Sequence, residues 1–187
     1  MGKIVLVSHE LKYAKAMSAL SSYSQVKDAL GLSDEQTTVE GTRGFIEFIL
    51  KEEKLGKQYS RCILNEKETL IGVITLKDID PIKKTSHIGT WIGHEYWGQR
   101  YNELAKAAIL AIAFNQFGLN YVFAGARADN YRSQKAQEKL PYITLRVEDE
   151  FPEELKMLEA QTGSKCVLNV FKKENYLAWR KAQEEIN

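Results

Sequence analysis

The sequence predicts an α/β-type (mixed α+β) domain with a central mixed, mostly antiparallel sheet flanked by helices. Three observations carry this. A helical first third gives way to three consecutive strands between Tyr59 and His94. A largely apolar helix then begins at Tyr101. Beyond it, strands and helices alternate to the C-terminus, and antiparallel strands followed by strand–helix–strand require a mixed sheet with helices on its faces.

Each element has a local reason. After one short strand, Leu11 to Leu20 and Val26 to Leu32 place apolar residues at helical spacing. Ser33-Asp34-Glu35-Gln36 reads as a helix start, with Ser33 as N-cap and Gln36 three residues on. That helix carries Phe45, Ile46, Phe48, Ile49 and Leu50 on one face to Leu55, and Gly56 ends it. Tyr59 to Leu64 is a strand, Asn65 to Glu68 a polar turn, and Leu70 to Leu76 a β-branched strand. Asp78 to Lys84 is a polar connection, and Thr85 to His94 is the next strand of the meander.

The apolar helix from Tyr101, through Leu104, Ala107, Ala108, Ala111, Ile112 and Phe114, ends near Gly118. A strand Tyr121 to Ala126, a helix Asn130 to Leu140 and a strand Ile143 to Val147 follow. A short helix after Pro152, a strand Cys166 to Phe171 and a helix from Glu174 close the chain.

With 187 residues and no Gly/Ser-rich linker, residues 1–187 are expected to form a single domain. Lys plus Arg is 26 against 25 Asp plus Glu, a net charge of +1, which argues against a nucleic-acid or anionic-membrane coat. Cys62 and Cys166 stand far apart and suit neither a disulfide framework nor a thiolate zinc site. His9, His87 and His94 show no ligand spacing, so no metal is expected. The apolar run at the start is too short for a signal peptide and no stretch is long enough to span a bilayer. A cytoplasmic monomer or homodimer is expected.

The segment that carries chemistry runs from Ile88 to Glu103, a strand entering a glycine-containing turn that opens directly into a helix. The first turn of a helix leaves backbone N–H groups unpaired at the positive end of its dipole, which suits a phosphate or diphosphate. The glycines alone would equally serve a plain strand-to-helix turn.

Five segments in order resemble the GNAT superfamily of acyl-CoA N-acyltransferases, in particular the ribosomal-protein N-terminal acetyltransferase branch. Leu70 to Asp80 resembles the family's third strand and its exit, and Ile88 to Gly93 its fourth. Tyr96 to Asn102 sits where the family carries its diphosphate loop. Ala128 to Ser133 with Glu138-Lys139-Leu140 resembles Asn-x-x-Ser…Glu-Lys-Leu, and Val167 to Trp179 the closing strand and helix.

The resemblance implies acetyl-CoA as cosubstrate and an amine-bearing small molecule or a protein N-terminus as acceptor. It implies cofactor contacts at Trp91, Ile92, Gly93, Trp97, Gly98, Gln99, Arg100, Tyr101, Asn102, Glu103, Asn130 and Ser133. Ser133 would serve the leaving thiolate, Asn130 the pantetheine arm, and a backbone N–H near Ile92 the oxyanion. As plain structure, Ser133 is a helix-surface serine and Asn130 an N-cap. Gln137 stands where the resemblance implies a tyrosine serving as general acid in other branches. For the base, Glu148 and Glu95 come first, with Asp78 and Asp80 behind, and the sequence does not choose among them. His87 either lines an acceptor groove or is an exposed strand imidazole, and the tryptophans pack rather than stack bases.

Two departures in the loop support an alternative, and a third follows the second helix. The loop's second glycine is Arg100 and its small last residue is Asn102, and Leu140-Pro141-Tyr142 replaces Leu-Gly-Phe. A side chain where backbone must approach a diphosphate can block it, so a catalytically degenerate binding module with weak or no acetyl-CoA binding is the second reading.

Overall fold

The computed structural model describes residues 2–186. Its seven strands are ordered β1-β2-β3-β4-β5-β7-β6: β1 Ile4–Val7, β2 Tyr59–Asn65, β3 Leu70–Asp80, β4 Thr85–Ile92, β5 Tyr121–Arg127, β6 Ile143–Thr144 and β7 Cys166–Lys172. The pairs β1–β2, β2–β3, β5–β7 and β6–β7 run antiparallel, and β4–β5 runs parallel from Thr85↔Tyr121 to His87↔Phe123. The α-helices are α1 Ala14–Ser21, α2 Ser24–Leu30, α3 Val39–Lys54, α4 Tyr101–Asn115, α5 Tyr131–Glu138, α6 Pro152–Thr162 and α7 Lys173–Ile186. Two compact units divide the chain, one of Met1–Ile79 with Gly89–Ile109 and one of Asp80–Ile88 with Leu110–Asn187.

In the first unit, α1 and α3 lay Ala14, Met17, Leu20 and Ile46 against Cys62, Leu64, Leu70 and Val73 of β2 and β3. Each large apolar side chain sealed this way contributes roughly 1.5–3 kcal/mol. A polar seam runs through this interior. His9 Nε2 lies 2.8 Å from Ser60 Oγ, which lies 2.7 Å from Thr75 Oγ1. Burial, helped by the Arg61 guanidinium, pulls His9 down to about 4, and burial pushes the Cys62 thiol up to about 12.

In the second unit, α6 covers Phe123, Leu168 and Val170 through Leu155 and Leu158. Phe171 meets Tyr142, which packs edge-on against Tyr176 and tilted against Trp179 of α7.

Several boundaries differ from the sequence expectation. Ser33 and Gln36 do exchange bonds, Ser33 Oγ accepting from Gln36 N at 3.2 Å and Gln36 Oε1 from Ser33 N at 2.9 Å. They close only a single 3-10 turn, Glu35–Thr37, because Thr38 turns extended (φ −66°, ψ 162°) and caps α3 through Gly41 N. β3 continues past the left-handed Asp78 (φ 50°), held by Ile79 N donating to Lys57 O at 3.0 Å. β4 ends at Ile92 instead of His94, since Gly93 opens a 3-10 turn, His94–Tyr96. β6 stops at Thr144, where Arg146 (φ 57°) gives its amide to Asn169 Oδ1.

Apart from Phe114, buried as expected, the apolar face of α4 is also displaced from the expected one. Its sealed stripe is Ala105, Lys106, Ile109, Leu110, Ala113 and Phe114, while Leu104, Ala107, Ala108, Ala111 and Ile112 are half-buried.

Candidate functional site

The turn between β4 and α4 lies in the first unit. Trp91, on β4, packs into the α1–α3 core, and Gly93 N donates to Ile71 O at 2.8 Å, holding the strand's end to β3. Trp97 folds back so that its indole Nε1 donates to the carbonyl of Ile92 at 2.7 Å. The loop is thereby closed on the strand that precedes it.

Gly98 (φ 76°) and Arg100 (φ 65°) are both left-handed, one on each side of Gln99. Successive turns of this kind make a concave run of amides of the sort that binds anions. The amides of Gly98, Gln99, Arg100, Tyr101 and Asn102 donate to no backbone carbonyl among the described residues. Those of Glu103 and Leu104 are taken by Arg100 O, at 3.1 and 3.2 Å.

A non-glycine residue in this conformation costs about 1–2 kcal/mol. The Arg100 guanidinium turns onto Glu103 Oε2, with Nε at 3.0 Å and Nη2 at 2.8 Å. With the side chains 63% and 32% exposed, solvent screens that pair and it does not offset the strain alone. Tyr101 buries its ring at 5% exposure and donates its hydroxyl to Glu66 Oε2 at 3.2 Å. Burial, then this carboxylate, raise its pKa. Gln99 reaches back to Glu95 O at 3.2 Å.

Asn102 has a role the sequence reading missed. Its Oδ1 accepts from Lys106 Nζ at 2.7 Å, and Lys106 is buried at 6% exposure. Burial alone pulls Lys106 down to about 8. The available signal was the lone cation in an otherwise apolar stretch of helix, one turn beyond Asn102.

Asn130 and Ser133 lie in the second unit. Asn130 is the N-cap of α5, accepting from Ser133 N at 3.1 Å. The half-buried Ser133 is held by Gln137, whose Nε2 donates to Ser133 Oγ at 3.4 Å and to Gly125 O at 3.2 Å. Gln137 Oε1 in turn accepts from Asn169 Nδ2 at 2.7 Å. The tyrosine position of other branches is therefore filled by an amide that ties the serine to β7.

The carboxylates separate by their bonds. Glu148 Oε1 accepts from Leu168 N at 2.9 Å, and Asp80 Oδ1 from the amides of Ile82 and Lys83. Asp78 marks the irregular stretch of β3, and Glu95 is exposed on the 3-10 turn. The exposed-imidazole alternative for His87 is corrected: it is 6% exposed, 2.8 Å from Glu154 Oε2 and stacked near Phe123. Among the described residues, no cluster of three or more His, Cys, Asp or Glu could hold a metal ion, and no helix is long and apolar enough to cross a membrane.

A sheet of this order, carrying this strand–turn–helix segment, defines an acetyltransferase class. The chain belongs to the acetyltransferase (GNAT) domain family, which its residues 3–142 match. A Bacillus subtilis (strain 168) protein named "Putative ribosomal N-acetyltransferase YdaF" is 28% identical over 75 residues, 40% of this chain and 41% of that protein. The match thus spans about two fifths of that curated relative's length. RimL, a ribosomal L7/L12 alpha-N-protein acetyltransferase solved with coenzyme A, superposes with a TM-score of 0.69 at 19% identity, covering 90% of this chain and 92% of that one. MccE, the microcin C7 self-immunity acetyltransferase solved with acetyl-CoA and AMP, gives 0.68 at 19% identity, over 90% and 91%. These likenesses establish the fold.

Proposed function

We propose that the chain works as one domain, residues 1–187, that moves an acetyl group from acetyl-CoA directly to an amine, on a protein N-terminus or a small molecule. The observation that carries this reading is the run of amides from Gly98 to Asn102 at the mouth of α4, unpaired among the described residues. Arg100 holds the left-handed conformation and bonds its guanidinium to Glu103, which supports a loop open to an anion.

Acetyl-CoA brings an activated thioester, and the residues do the rest. The amides from Gly98 to Asn102 hold the diphosphate, with Trp97 and Glu103 shaping the two ends of the loop. The backbone of Trp91 and Ile92 pairs with the pantetheine arm, since the Gly93 amide and carbonyl are bonded to Ile71 and Tyr96, and Asn130 adds its side-chain amide. A backbone N–H near Ile92 supports the oxyanion. Ser133, whose oxygen accepts from Gln137, keeps its own proton to donate to the departing sulfur. The attacking amine loses its proton to Glu95 or to solvent, since Glu148 and Asp80 already serve backbone amides.

Titration calorimetry with acetyl-CoA tests the reading. Heat of binding and a rise in melting temperature are expected; their absence at millimolar acetyl-CoA refutes it. The second reading, a degenerate binding module, takes its support from the side chains of Arg100 and Asn102. It wins if acetyl-CoA binds only after R100G and N102A are introduced together.

A further inference from the structure

The geometry points to a side-chain contribution to the diphosphate subsite: Asn102 gives its Nδ2 group to the diphosphate, and Lys106 is the positioning residue that fixes Asn102 and places positive charge behind it. This rests on the acetyl-CoA reading above.

An asparagine amide has one accepting end and one donating end. The Lys106 ammonium donates only, so it fixes the oxygen end, at 2.7 Å. The Nδ2 end has no partner among the described residues. Asn102 is the second residue of α4, so that free donor stands in the same turn as the unpaired amides. A small residue at this position would offer no side-chain donor. Asn102 offers one backed by a cation.

Lys106 explains why a ligand is wanted there. Among the described residues this sealed amine has no carboxylate partner, and burial alone accounts for its lowered pKa. The charged residues one turn before it on the loop and helix, Arg100 and Glu103, are bonded to each other. A buried cation without a counter-ion is costly, and an anion held by Asn102 supplies the missing charge one hydrogen bond away. Burial pulls the amine to about 8, which leaves it mostly protonated at neutral pH.

The experiment is calorimetry at pH 7 on the whole chain and its N102A and K106M variants. The probes are CoA, ADP (which keeps the diphosphate) and pantetheine (which lacks it). Each variant is expected to bind CoA and ADP roughly tenfold more weakly, with pantetheine unchanged. The double variant should be no weaker than the weaker single one, because the two side chains act as a unit. In the parent chain at pH 8, CoA binding should also take up protons, seen as a binding enthalpy that changes with the buffer's ionisation enthalpy; K106M should abolish this. A merely structural lysine would move neither the ADP–pantetheine split nor the proton uptake. Unchanged or tighter CoA binding in both variants overturns the pair and leaves the transferase reading standing. Failure of the parent chain to bind acetyl-CoA overturns both. If K106M does not fold, N102A, on the half-buried first turn, decides the question by itself.

Discussion

Replacing Lys106 by methionine is expected to stabilise the ligand-free protein at neutral pH. Burial lowers the amine from 10.5 to about 8, a difference equivalent to roughly 3 kcal/mol at pH 7. Methionine keeps most of the volume and carries no charge. It forfeits the charge-assisted bond to Asn102 Oδ1, worth roughly 1.5–3 kcal/mol, so K106M should be ahead by about 1 kcal/mol. Because the native pKa lies below that of the unfolded chain, the unfolded state binds the extra proton between pH 8 and 10.5. Parent stability therefore rises with pH across that window relative to the variant. Urea unfolding of both proteins at pH 7, 8.5 and 10 reads the gap directly. The buried tyrosines and Cys62 titrate in both proteins and cancel in the difference. A gap that stays constant from pH 7 to pH 10 would show that Lys106 is not a sealed cation.

Three further outcomes are expected. His9 stays neutral in the native state down to about 4, so the unfolded chain alone gains a proton as pH falls from 6.5; roughly 3 kcal/mol should be lost over that interval, and H9Q should flatten the acid limb in urea melts. G72A should cost about 3 kcal/mol or more in the same assay, because the new Cβ would sit 2.2 Å from the carbonyl oxygen of Trp91. Q137L should cut kcat about tenfold with the KM for acetyl-CoA unchanged, since it frees the Ser133 hydroxyl from its tether to β7; an unchanged kcat on an amine substrate would remove Gln137 from that role.

The order of elements was legible because period and punctuation agree: β-branched runs at Leu70 to Leu76, a polar turn before them, and a helix opening at Tyr101. What was not legible depended on tertiary context. The Ser33–Gln36 exchange is the one expected of a helix start, yet Thr38 overrides it with a cap of its own three residues before Gly41. The face of α4 was misplaced because the helix is apolar nearly all round, and the buried stripe contains a lysine that a hydrophobic pattern assigns to solvent. The left-handed Arg100 is invisible in a sequence, where arginine argues against that conformation. Likewise Gln137 reads as a missing tyrosine, and only its bonds to Ser133, Gly125 and Asn169 show the work it performs.

The strap from Trp97 to Ile92 gives this loop its own optical reporter. An indole whose N–H is committed to a strand carbonyl at 2.7 Å, with the His94 ring edge-on at 4.6 Å, emits from a fixed electrostatic setting. Negative charge arriving on the neighbouring amides changes that setting without displacing the ring. The chain has three tryptophans, so a W91F/W179F background leaves one emitter, and occupancy of the loop becomes readable by fluorescence without an added dye.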